Sequence, residues 1–305
     1  MKKFNYKLIL LLIFFFVSTA TLDSFAWTVS PVKFELKGEK GKEYTLSFSV
    51  LNESQTAQKR FKLVVDDWGL DKRANFVIKG YSSGTLEVKE SAVPWLKVTP
   101  TQFVVPPGGS RRVRFTVSIP PDVQGDGDYT AGIFVSEENI EKPPKGKRIV
   151  FIKQNTLIGV VLYTQIGQEK QNISLTNLLV ESALSEEKES YNVAVIPVFE
   201  NMSNIHLRGN IKVLLTPSLD QILTKEQKAA IDAVEKELLF EDTVVLRDSY
   251  VEHPFKIPQP LPAGSEWLFE VKADFGKQVP LLLGKKKFKV PIDASPSPSP
   301  SPVKH

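Results

Sequence analysis

Apolar and polar residues alternate with period two along most of this chain, the mark of strands with one buried face. Residues 44–50 put Leu46, Phe48 and Val50 on one side. Residues 112–119 send Val113, Phe115, Val117 and Ile119 inward, and Arg112, Arg114, Thr116 and Ser118 outward. Further strands are predicted at 61–65, 76–78, 129–136 and 149–163. Pro106-Pro107-Gly108-Gly109 and Gly125-Asp126-Gly127 separate them as turns, because glycine supplies positive φ and proline fixes the turn entry. About seven strands is the complement of an immunoglobulin-like sandwich.

A second β series follows from Asn172, with strands expected near 173–180, 191–199, 207–215, 267–273 and 286–292. One helix is expected within it, over about 225–239. Thr224-Lys225-Glu226-Gln227 forms a capping box, and Ile231, Val234 and Leu238 recur at helical spacing. The opposite face mixes Lys228, Asp232, Glu235 and Lys236, which suits a cover over a sandwich. The fold class is therefore all-β: two immunoglobulin-like β-sandwich domains, 27–166 and 167–292, the second carrying a helical insertion.

The two ends stand apart from this pattern. Lys2, Lys3 and Lys7 precede an unbroken apolar run over 8–17, and Ser24-Phe25-Ala26 supplies a small-x-small cleavage pattern. Residues 1–26 read as a signal peptide removed before Trp27, and the run is too short for a stable membrane span. At the other end, 293–305 is a Ser-Pro tail that favours extended polyproline and builds no core. The mature protein is expected to be periplasmic or secreted.

Composition removes most enzymes and most nucleic-acid binders. The chain has no cysteine, which excludes disulfides, thiolate metal sites and a cysteine nucleophile together. Three histidines leave little for a histidine metal centre, and no cofactor is expected. A net charge of +4, from 39 basic and 35 acidic residues, is too even for a nucleic-acid partner. Asp122, Asp126 and Asp128 lack calcium-loop spacing and read as a polar turn. Asp66 and Asp67 alternate to opposite faces of a strand, poor geometry for a paired acid and base. Trp68, Trp95 and Trp267 read as packing, the Asn-x-Ser triplets at Asn52, Asn172 and Asn201 as chance, and Lys285-Lys286-Lys287-Phe288-Lys289 as protection of an edge strand.

One run of residues carries a resemblance. Trp95-Leu-Lys-Val-Thr-Pro100, then Phe103, Pro107-Gly108 and Val113-Arg114, resembles the first domain of periplasmic pilus-assembly chaperones of the chaperone–usher type. The opening Val29-Ser-Pro-Val-Lys33-Phe, the strand 46–52 and Asp128-Tyr129-Thr-Ala-Gly-Ile133 fit in order, so the similarity spans about 27–166. Phe199-Glu-Asn-Met-Ser-Asn204 is similar to a motif of exported accessory and adhesion sandwiches. The resemblance implies a cleft in which two basic residues hold a client's terminal carboxylate. Lys33 stands at the first position, and Val161 stands at the second. It also implies a last strand of alternating apolar residues, here Ile149, Phe151, Ile158, Val160 and Leu162, interrupted by Lys153-Gln-Asn-Thr156.

The expected function is an exported, non-enzymatic assembly factor. It would bind extended segments of an exported client, such as a pilin-like subunit, by adding a strand along 149–162. The expected client-binding residues are Lys33, Ile149, Phe151, Ile158, Val160 and Leu162. The alternative is a structural cell-surface or adhesion module that binds a wall polymer or a surface protein.

Overall fold

The computed structural model describes residues 27–81, 86, 88, 90–138, 156–186, 190–218 and 224–292. The expected signal peptide, the Ser-Pro tail and the candidate residues Ile149 and Phe151 lie outside the described residues. None of the described helices is long and apolar enough to cross a membrane.

The first half folds as strands β1 (Trp27–Ser30), β2 (Lys33–Gly38), β3 (Glu43–Asn52), β4 (Lys59–Asp66), β5 (Trp68–Leu70) and β6 (Phe76–Ile78). These are followed by β7 (Leu96–Thr99), β8 (Gln102–Val105), β9 (Ser110–Ser118), β10 (Gly127–Glu137) and β11 (Leu157–Ile166). One sheet runs β1-β3-β9-β7, and the facing sheet β2-β11-β10-β4-β8. The chain changes sheets at Pro31, whose missing N–H cannot continue the β1 ladder. The predicted alternation fills the space between the sheets: Phe48, Val50, Phe61, Val113, Phe115, Val117 and Ile133 are essentially inaccessible. β5 and β6 form a separate hairpin.

The second half contains β12 (Ile173–Leu184), β13 (Ser190–Asn201), β14 (Leu207–Pro217), helix α1 (Lys225–Ala233), β15 (Glu237–Val245) and β16 (Ser249–Glu252). The short β17 (Phe255–Lys256) and β18 (Leu261–Pro262) come next, then β19 (Glu266–Asp274) and β20 (Leu282–Lys289). One sheet is β12-β13-β16, with β17 and β18 also on β13; the other is β15-β14-β19-β20. Its core, including Val195, Phe199, Ile211, Val213, Phe269 and Val271, is separate from that of the first half. The architecture is two β-sandwiches.

The helix is shorter than the expected 225–239. The Thr224–Gln227 capping box forms, but the backbone turns extended at Val234. Leu238, expected on the helix, lies in β15 opposite Val213. Ile231, Val234 and Leu238 are all buried, so burial alone does not separate the two readings. What decides is the neighbour: β14 is left with an open edge that residues 237–245 satisfy, and sheet pairing overrides a marginal local helix signal.

Asn52 and Asn201 end equivalent strands, β3 and β13, and both are buried. The Asn52 amide reaches the carbonyls of Ala57, Val105 and Pro106, and its oxygen accepts from Ser54 N–H. The Asn201 amide reaches Ile205, Val245 and Leu246, and its oxygen accepts from Ser203 N–H. These two Asn-x-Ser triplets are thus a structural repeat that ties down loop carbonyls, which makes their recurrence more than chance.

Candidate functional site

The sandwiches meet along the outer face of the sheet that contains β11. Gly127 approaches the second sandwich closely: a Cβ there would stand 2.0 Å from the Asn204 carbonyl oxygen, and its φ of +114° suits glycine. The next residue, Asp128, donates its N–H to that carbonyl. Its buried carboxylate accepts from both the backbone and the ring Nδ1 of His206, at 2.6 and 2.5 Å. Asp128 is therefore a tie between the domains, where the sequence suggested only a polar turn.

Tyr163 lies at the centre of this face. The His206 ring stacks on it with centroids 3.8 Å apart, and Trp68 meets it edge-on at 5.6 Å. The Arg208 guanidinium sits 5.4 Å from its ring centre, and Arg208 Nη2 donates to its hydroxyl at 3.1 Å. Burial pushes the Tyr163 phenol well above its ordinary value, so it stays protonated.

Lys33 lies at the rim of this cleft, opposite Val161 in the parallel β2–β11 ladder. Its Nζ is 3.4 Å from Glu35 Oε1 and 3.6 Å from Asp242 Oδ2 of the second sandwich. Arg208, on β14, reaches the same two oxygens, with Nε 3.5 Å from Glu35 Oε1 and Nη1 3.0 Å from Asp242 Oδ2. Two cations from different domains thus converge on carboxylate oxygens. Both are matched there by resident carboxylates, Glu35 and Asp242. The sequence pointed to Lys33 and to the vacancy of a second cation at Val161; it did not point to Arg208, which is supplied from the other domain.

The remaining candidates are distributed differently from expectation. Val160 and Leu162 are each 1% exposed and packed into the first core, with Ile158 partly buried beside them. The Val160 and Leu162 side chains face the sandwich core, so any part these positions play in holding a client would run through the main chain. What β11 exposes is backbone. Val161 N–H donates to Val32 O, so by alternation the main-chain groups of Gly159 and Leu157 face the same, outer side. β2 covers that side only from Val161 to Ile166. Among the described residues no strand pairs with Leu157, Ile158, Gly159 or Val160 on the side away from β10.

A second set of ion pairs holds the domains from the β5–β6 hairpin. Arg73 pairs with both Glu181 oxygens at 2.7 and 2.8 Å and with Glu252 at 3.2 Å, and Lys72 pairs with Glu252 at 3.0 Å. The Lys72 hydrogen bond holds the Glu252 carboxyl below the usual carboxylate value. Between hairpin and cleft lies a cavity of about 180 Å³, bordered by Trp68, Leu70, Thr130, His206, Leu246 and Arg247. Trp68 donates from its ring nitrogen to Ala131 O, as a packing residue does. Among the described residues no group of three His, Asp or Glu side chains is placed to hold a metal ion.

No family model and no curated protein matches the chain. Solved structures similar to it include the class 5 fimbriae chaperone CfaA, at 11% identity and a TM-score of 0.37, covering 87% of this chain and 100% of that one. The Pseudomonas aeruginosa CupB2 chaperone is 12% identical with a TM-score of 0.39, covering 86% of this chain and 100% of its own. The E. coli chaperone DraB is 14% identical with a TM-score of 0.35, covering 88% and 98%. All three TM-scores are below 0.5, and the two-sandwich architecture rests on the sheet topology itself.

Proposed function

We propose that this protein is an exported, non-enzymatic assembly factor that holds an extended client segment by β-augmentation, in the manner of a pilus-assembly chaperone. One observation carries the reading: the half-open edge of β11 ends where two cations converge. A strand laid along Leu157–Val160 and parallel to β11 would be collinear with β2. It would stop where β2 begins, with its terminal carboxylate directed at Lys33 and Arg208. Backbone groups of Leu157 and Gly159 would supply affinity, and the cations would read the chain end. The client is an exported protein with a free carboxyl-terminal strand, such as a pilin-like subunit, met in the periplasm or outside the cell after cleavage at Ala26.

The test is client capture by variants at the cleft. Lys33→Ala should weaken capture by about 1–3 kcal/mol, the range for a charge-assisted hydrogen bond. Amidating the client's carboxyl terminus should cost a similar amount, and the two changes together little more, because they remove one shared contact. Equal binding of free acid and amide would remove the carboxylate from the mechanism.

A further inference from the structure

The cleft cations are not empty-handed, and the residue that occupies them has an unusual position. Asp242 Oδ2 is approached by Lys33 at 3.6 Å and Arg208 at 3.0 Å. The Asp242 side chain is 61% exposed. Its backbone is left-handed, with φ of +51°, next to the interruption of the β14–β15 ladder between Gly209 and Ile211. Non-glycine residues seldom adopt that conformation, and Asp is among the few that tolerate it. The bulge turns a solvent-facing carboxylate back onto the two cations.

We propose that Asp242 is an internal stand-in for the client's terminal carboxylate, holding Lys33 and Arg208 in the unloaded protein and giving way when a client binds. The inference deepens the capture reading above and rests on it. Charge balance is the reason. Lys33 and Arg208 are matched by Glu35 and Asp242. An arriving carboxylate would set three anions against two cations, so one resident anion has to leave. Glu35 belongs to the regular β2 ladder and also lies 3.9 Å from His206 Nε2. Asp242 is the more exposed of the two, and an exposed pair is weak enough to open at small cost. Its return would help displace the client's carboxylate, so the same residue limits affinity and assists release. Loading would also break the Lys33–Asp242 link between the domains.

The experiment measures binding of a short synthetic peptide alternating valine and threonine, as free acid and as carboxyl-terminal amide, by fluorescence anisotropy. Asp242→Asn should bind the free acid about fivefold more tightly than the unaltered protein, and the amide with unchanged affinity. Asp242→Gly, which suits positive φ, should show the same gain, so a folding defect in the first variant does not decide the outcome. Adding Lys33→Ala should reduce the gain, because only Arg208 is then left for the free acid to reach. Equal or weaker binding of the free acid by both Asp242 variants, with Lys33→Ala still weakening it, would overturn the stand-in and leave the capture reading intact. Equal binding of acid and amide by every form, or binding of neither, would overturn both.

Discussion

Among the described residues, the last strand of each sandwich has a stretch of edge that no other strand pairs, and the two edges are built in opposite ways. β20, the last strand of the second, carries Lys285, Lys286, Lys287 and Lys289 along an exposed edge, with Lys285 paired to Glu270 and Lys289 to Glu266. Charges at that density make it costly for a foreign strand to dock. β11, the last strand of the first sandwich, presents Leu157, Ile158, Gly159 and Val160 without a charge, and its neighbour β2 stops short of them. One edge is lined with lysines and the other carries no charge over these four residues. Both halves share the sandwich fold, so the difference lies in the residues of the two edges.

The largest effect is expected where the two halves are most alike. Asn52→Ala and Asn201→Ala should each cost about 3 kcal/mol, since each leaves buried carbonyls without a donor. Chemical denaturation should show similar losses for both. A much smaller loss at one site would break the equivalence of the repeat.

Gly159→Pro sharpens the contrast between the edges. It removes an outward N–H from the open half of β11 and should lower client capture at least roughly tenfold. A Cβ there would stand 3.0 Å from the buried Phe134 ring, so a denaturation curve of the variant separates lost capture from lost stability. Lys286→Pro on β20 should leave capture unchanged. Titrating a client against both variants checks the pair.

Replacing Lys285, Lys286, Lys287 and Lys289 by threonine should turn β20 into a second adhesive edge. Light scattering should then report concentration-dependent self-association absent from the unaltered protein. A variant that stays monomeric would show that the lysines do not guard the edge.

The smallest effect concerns pH and is confined to the second sandwich. Burial holds His253 below the ordinary histidine value of 6.5, with its ring hydrogen-bonded to Val244 O at 3.0 Å. The unfolded chain takes up the proton first as pH falls. Stability from this residue is therefore complete above about pH 6.5 and declines toward the lower folded value. His253→Phe should flatten the stability profile across that interval, which thermal melts at successive pH values would reveal.

Much of the fold was legible in residue order because strand periodicity is a local signal. Phe48, Val113, Phe115 and Val117 are buried where alternation put them. The capping box at Thr224 was legible for the same reason, being a contact within one turn. The end of that helix was not, since the open edge of β14 decided whether 237–245 would be helix or strand.

The site divides along the same line. Residue order alone determined two all-β units, an expected export signal and a lysine near the start of the first sandwich. Only the tertiary structure decided that Lys33 shares its anions with Arg208, 175 positions further on by the numbering, and that Asp242 holds both. It also decided that Val160 and Leu162 face inward while β2 leaves half of β11 uncovered. Periodicity records which side of a strand is apolar, but not which strand will lie beside it. A cleft built from two domains is made of distances between residues that no local pattern relates.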